Sequence, residues 1–235
     1  FRPIAARVPF VIWGVGCCDV KREQTLPPWP LIEEIVRRAR LCVVRDEYTR
    51  RLLGSCSLPP PVPCPTVAVV PAATAPPSPR LLHVDSYDNV GPEIFGQMVR
   101  LSEDFARRTG RSYCQTNNLI PAGNLGALQQ TLALYAAADL VLTSRLHGCI
   151  IALATGRRVL AVSGDHKMES FMEGAGLGDW LCDLDEVDAL PTRLERLAHQ
   201  AVPTDFIAQA RTRNRAVAAQ VRALILAGQA AAEQQ

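Results

Sequence analysis

Short apolar runs and longer stretches with an apolar residue at every third or fourth position take turns along this chain. Pro9 to Val15, Leu41 to Val44, Arg80 to Val84, Arg111 to Thr116, Leu140 to Leu142 and Arg158 to Val162 each read as a buried strand. Between them, Leu31 to Arg40 carries Ile32, Ile35 and Val36 at helical spacing. Pro92 to Thr109 carries Ile94, Phe95, Met98, Leu101 and Phe105 as one apolar stripe. Asp46 suits an N-cap for a helix from Glu47 to about Gly54, and Leu128, Leu132 and Tyr135 mark another helix. Strand and helix in alternation are what a parallel sheet requires, so the pattern predicts an α/β fold. Further on it predicts a helix over Glu169 to Gly176, a short strand over Trp180 to Leu184 and a helix over Asp188 to His199. A long terminal helix over Thr204 to Ala227 should pack Phe206, Ala210, Val217, Val221 and Leu224. Pro59 to Pro79 holds nine prolines and one short predicted strand, Val67 to Val70. It reads as a connector, which divides the chain into halves over 1–78 and 79–202 and a terminal helix over 203–235.

The densest pattern is ADLVLTSRLHGCIIALATG, Ala138 to Gly156. A buried strand gives way to a helix that is apolar nearly all round, with Gly156 as its stop. Ligands of open α/β sheets bind at such carboxyl-end junctions, and this one contains Ser144, Arg145, Leu146, His147 and Gly148. If the junction is extended, Arg145 and His147 leave one face while Leu146 turns into the core. Arginine offers a planar fork to a carboxylate or phosphate, and histidine moves protons near neutral pH. Gly148 would let the free N–H groups of the helix start approach an anion. The site suits an anionic substrate that needs proton transfer. The plainer alternative is a structural arginine beside a satisfied histidine.

Composition narrows this picture. The chain has 235 residues, 48% of them hydrophobic, which supports a real core. A net charge of +2 leaves no nucleic-acid footprint. No apolar run reaches about 18 residues, so no spanning helix is expected. The opening FRPIAARVPFVIWGVG has no signal-peptide layout and no initiator Met, as in a processed or partial product. Eight scattered cysteines without a Cys-x-x-Cys pair read as free thiols in a reducing compartment, hence a cytoplasmic expectation. The four histidines have no metal-ligand spacing, and no metal is expected. Gly14 and Gly16 close the first strand, where they permit a tight turn or a ligand's close approach. They make a weak dinucleotide signal, because the third glycine is missing. Arg211, Arg213 and Arg215 give the terminal helix a basic start. A solvated face is the first reading, and contact with lipid headgroups at the inner face of the membrane the second.

Ala138 to Gly148 resembles the Ala-Asp-Leu-Val-x-x-Ser-Arg-Leu-His-Gly stretch of the polysaccharide pyruvyl transferase family. The resemblance implies two Rossmann-like halves facing a cleft, as in two-domain GT-B-like glycosyltransferases. It implies transfer of pyruvate from phosphoenolpyruvate to two sugar hydroxyls as a ketal, in cell-surface polysaccharide biosynthesis. Phosphoenolpyruvate is then a donor substrate and no cofactor is needed; the acceptor is a sugar, such as a lipid-linked oligosaccharide. Arg145 and His147 fall at the implied donor site, with Ser144, Leu146 and Gly148 as neighbours. The family often has an Arg-Asp pair where Arg45 and Asp46 stand. Arg45 would face Arg145 across the cleft and hold the other acid group, or else be a structural strand–helix arginine. A loose Asp-x-Lys likeness at Asp165 and Lys167 makes Lys167 a phosphate contact and His166 a second proton-transfer candidate; a solvated loop is the alternative. Two family features are missing: an Asn-x-Gly-Asp loop in the first half, which therefore looks incomplete, and an Asp-Pro pair, here Cys64-Pro65. One alternative function is a nucleotide-sugar glycosyltransferase. It is disfavoured because Glu169 and Glu173 are followed eight residues on by Leu177 and Leu181 rather than by a second glutamate. Another is a non-catalytic sugar-binding homologue.

Overall fold

The structure is a computed structural model that describes residues 9–18, 27–85 and 90–232. Ser86, Tyr87 and most of the loop read from Lys21 to Pro30 lie outside the described residues. Two parallel sheets are present among them. The smaller pairs β1 (Val11–Val15) with β2 (Leu41–Val44). The larger contains β3 (Ser78–Val84), β4 (Ser112–Thr116), β5 (Ala138–Thr143), β6 (Arg158–Ser163) and β7 (Leu181–Asp183), in the order β4-β3-β5-β6-β7. The mixed α/β reading therefore stands, with a five-stranded parallel sheet at its centre.

That strand order has a functional consequence. The chain runs outward from β3 to β4, then returns past β3 to β5, so the direction of winding reverses between β3 and β5. The loops leaving their carboxyl ends diverge there and open a crevice. β5 can occupy the centre because Leu140, Val141 and Leu142 are all fully buried, as a strand covered on both faces must be.

Helices α1 (Trp29–Arg38) and α2 (Glu47–Leu52) accompany the small sheet. Next come α3 (Thr66–Val69), α4 (Pro92–Arg108), α5 (Leu125–Ala137), α6 (Leu146–Ala154), α7 (His166–Gly174), α8 (Leu190–Ala198) and α9 (Asp205–Ala232). Val67 to Val70, expected as a strand, is instead the short helix α3 and its cap. Val67 and Val70 are buried while Ala68 and Val69 face out, a spacing of three rather than two. Pro65 sets the helical φ of −55° at its start. The helix expected from Glu169 begins at His166, because Asp165 caps it by accepting from the Met168 amide at 2.8 Å. The one expected from Asp188 begins at Leu190, after a 3₁₀ turn over 184–189.

The terminal helix α9 links the main core to the small sheet. Ile207 and Ala210 belong to the main core, and Arg211 donates to the carbonyls of Val67, Val70 and Ala154. Two turns on, Val217 packs with Val43 and Val62 beside the small sheet. Asn214, 1% exposed, sits between these contacts. Its amide donates to the Pro63 carbonyl at 2.9 Å and its Oδ1 accepts from the Trp13 indole at 3.1 Å. Leu224, expected on the packed face, is exposed, because the helix has by then run past both sheets.

Candidate functional site

A cavity of about 650 Å³ opens at the winding reversal, and Arg45, Arg145, His147 and Lys167 all line it. Each is delivered by a different strand–helix junction, except that Arg145 and His147 share one. Among the described residues no Asp or Glu lines this space. The remaining wall is Gly16, Cys18 and Asn118 with an apolar side that includes Leu128, Leu132 and Ile151. Three cations and an imidazole facing an apolar wall favour an anion with a small organic body.

The central junction builds upward from Thr143. Its hydroxyl donates to the Val84 carbonyl at 3.0 Å and accepts from the Arg145 amide at 3.0 Å. This fixes the exit of β5 against β3. Arg145 keeps an extended backbone (φ −113°, ψ 131°) as the residue before α6, so the helix starts at Leu146 rather than at Gly148. Leu146 turns inward, 4% exposed, and only touches the cavity floor, while Arg145 and His147 face the cavity. The Arg145 Nε donates to the Asp85 carbonyl at 2.5 Å, at the end of β3. One edge of the guanidinium is thereby tied to the sheet, and no carboxylate pairs with it among the described residues. Ser144 is buried, with its amide on the Val84 carbonyl, and does not line the cavity. Gly148 has a different reason from the one expected. A Cβ there would sit 2.2 Å from the Thr143 hydroxyl oxygen, so the glycine makes room for the Thr143 bridge, not for a ligand.

Arg45 and Lys167 are held by one device used twice. Asp46 caps α2 by accepting from the Thr49 amide at 2.7 Å, and its other oxygen accepts from Arg45 Nε at 3.2 Å. Asp165 caps α7 in the same way, and its second oxygen lies 3.1 Å from the Lys167 ammonium. Burial works against the charge on Lys167, but its contacts with Cys18 at 2.8 Å and with Asp165 outweigh burial and hold its pKa above the usual lysine value. Gly16 is required by the same construction, since a Cβ there would lie 2.3 Å from Arg45 Nε. The close approach that Gly14 and Gly16 permit is therefore to the protein itself: Gly14, at φ +74°, lies against the Pro65 ring.

His166 does not join them. Its ring stacks on Tyr48 with centroids 5.3 Å apart, and Nδ1 lies 3.1 Å from Glu169. It lines a separate cavity of about 350 Å³ among Glu47, Glu169 and Glu173. One turn of helix explains the parting: with α7 starting at His166, adjacent residues 166 and 167 leave it about 100° apart. Asn118 escaped the sequence reading, and Cys64 was noted there only as standing at the family's Asp-Pro position, without a role. Asn118 holds a left-handed backbone (φ 57°) and donates to the buried Tyr135 hydroxyl at 2.7 Å; an Asn-Asn pair after a strand is a recognisable signal for that conformation. Cys64 lies 3.7 Å from His147 Nε2 across 83 residues of sequence, which no local pattern announces.

No helix among the described residues is long and apolar enough to cross a membrane. A search among curated proteins found no match for the chain. Residues 1–166 match the family model described as polysaccharide pyruvyl transferase, which is 166 of 235 residues and includes both cavity arginines and His147. With its SRLHG junction at the mouth of this cavity, the chain belongs to the polysaccharide pyruvyl transferase family.

Proposed function

We propose that this protein moves pyruvate from phosphoenolpyruvate onto two hydroxyls of a sugar as a ketal, with the 650 Å³ cavity as the donor site. The observation that carries this is the convergence of Arg45, Arg145, Lys167 and His147 on one cavity that no carboxylate lines among the described residues. Phosphoenolpyruvate has two acid groups on a three-carbon body. Arg145 and Arg45 hold its carboxylate and phosphate, with Lys167 as a further phosphate contact. His147 gives a proton to C3 of the enol, which leaves C2 electrophilic. A sugar hydroxyl adds at C2 and returns a proton to His147, the bond between C2 and the phosphate oxygen breaks, a neighbouring hydroxyl closes the ketal, and its proton leaves with the departing phosphate. The arginines favour the step because phosphate carries more charge as it leaves. On this reading the small and the large sheet are the cores of two halves in a GT-B-like arrangement, and the acceptor enters between them. The acceptor is a sugar of a cell-surface polysaccharide or its lipid-linked precursor, and the work is done in the cytoplasm.

The test is incubation with phosphoenolpyruvate and a panel of lipid-linked and aryl sugars, read as a pyruvate mass increment with stoichiometric phosphate release. Phosphoenolpyruvate alone should also raise the melting temperature, since a ligand of the folded state stabilises it by mass action. A larger shift with a uridine or guanosine diphosphate overturns the donor assignment in favour of a glycosyltransferase.

A further inference from the structure

We infer that Cys64 is the positioning residue for His147, holding its ring from behind and supplying the counter-charge when the ring is protonated. This rests on the reading of His147 as the proton donor. Cys64 is 7% exposed and does not line the cavity, so it acts through His147 rather than on substrate. Its sulfur lies 3.7 Å from Nε2, within reach of a sulfur hydrogen bond, and 3.3 Å from the Thr66 hydroxyl. With Nε2 turned to the sulfur, Nδ1 is the ring nitrogen left for the cavity.

The surroundings explain why such a partner is needed. Arg45, Arg145 and Lys167 face the same cavity as the His147 ring. Asp46 and Asp165 are committed to Arg45 and Lys167, and Arg211 braces the carbonyls of α3 next to Cys64. Among the described residues, the acidic group in contact with the His147 ring is the Cys64 thiol. Burial pushes that thiol up, but hydrogen bonds with His147 and Thr66 more than reverse this and bring it down to about 7. Cys42, Cys114, Cys149 and Cys182 all shift the other way, pushed up by burial.

The proton balance is simple. Nε2 keeps its contact with the Cys64 sulfur throughout. Nδ1–H goes to C3 of the donor, leaving a neutral ring, and the proton released by the adding sugar hydroxyl returns to Nδ1. No bond to sulfur forms or breaks. Cys64→Ser keeps a small polar group that does not ionise near neutral pH. Cys64→Asp supplies a charge that is already present there.

The experiment combines pH–rate profiles on phosphoenolpyruvate with NMR titration of the His147 ring, assigned by its loss in His147→Gln. Melting curves confirm that each variant is folded. In Cys64→Ser the ring should titrate at lower pH than in the wild type. Turnover at pH 7.5 should fall about tenfold while KM for phosphoenolpyruvate changes by less than about threefold, the split expected when chemistry rather than donor binding is affected. Cys64→Asp should restore both the ring titration and turnover. Superimposable His147 titrations in wild type and Cys64→Ser overturn the inference, whatever the activity. If the wild type turns over no phosphoenolpyruvate but the ring titration still moves, the pairing stands and the proposed reaction is what fails.

Discussion

If the proposed reaction is right, Arg145 and His147 should separate binding from chemistry at the level of single side chains. Arg145→Lys keeps a charge but loses both the bidentate fork and the tie to the Asp85 carbonyl. Phosphoenolpyruvate affinity, measured by calorimetry, should fall about tenfold or more, the worth of a lost charge-assisted bond. His147→Ala leaves the arginines in place, so the donor should still bind while turnover falls by roughly 10²–10⁴-fold. His147→Gln keeps a hydrogen bond without titrating; near-normal turnover in it would make His147 structural. A third change probes Arg45. In Gly16→Ala the new methyl displaces the Arg45 guanidinium, so donor affinity should drop several-fold, a modest positional loss of the kind geometry alone produces. Legibility at this scale was uneven. Arg145, His147, Arg45 and Lys167 could be found because they sit beside strand ends. His166 could not be told from Lys167, because a one-residue difference in where α7 starts decides which of the two faces the cavity. Cys64 was invisible as a partner because its contact spans 83 residues.

Elements were easier to read than their ends. Apolar runs located the strands because a doubly covered strand has no polar face to confuse the pattern, and β5 is fully buried from Leu140 to Leu142. The pattern failed at α3, where β-branched valines suggested a strand and Pro65 dictated a helix. It also left open what α9 packs against, since Ala210 joins the main core and Val217 the small sheet although both are apolar positions on one helix. Asn214 makes that double attachment testable. Asn214→Ala strands the Trp13 indole N–H and the Pro63 carbonyl, which should cost about 1–3 kcal/mol of stability by chemical denaturation. Donor affinity should fall with it, although residue 214 does not line the cavity.

For the whole molecule, acid should be more damaging than the modest net charge of +2 suggests. His83 is fully buried on β3, its Nδ1 2.9 Å from the Tyr113 hydroxyl, and burial lowers its pKa from 6.5 to about 4. The unfolded ring takes up a proton that the folded ring refuses. Stability is therefore whole above pH 6.5 and is lost as pH falls towards 4, by about 3 kcal/mol for a shift of this size. In His83→Gln the difference in denaturation free energy between pH 7 and pH 4.5 should shrink accordingly. An unchanged pH dependence would mean that His83 protonates in place. At this scale the sequence told of an α/β molecule and of a Pro-rich connector. The order of strands, which fixes where the cavity opens, depends on pairings that only the folded chain displays.

The fastening of α9 to the main core at one point and to the small sheet at another has a consequence for how such a protein changes over generations. Arg45 and Arg145 stand on different sheets, so the gap between them is set in part by a helix that supplies nothing to the cavity. Substitutions along its inner face can widen or narrow that gap without touching a reacting group. The width of the cavity can therefore drift while the SRLHG junction stays letter for letter the same.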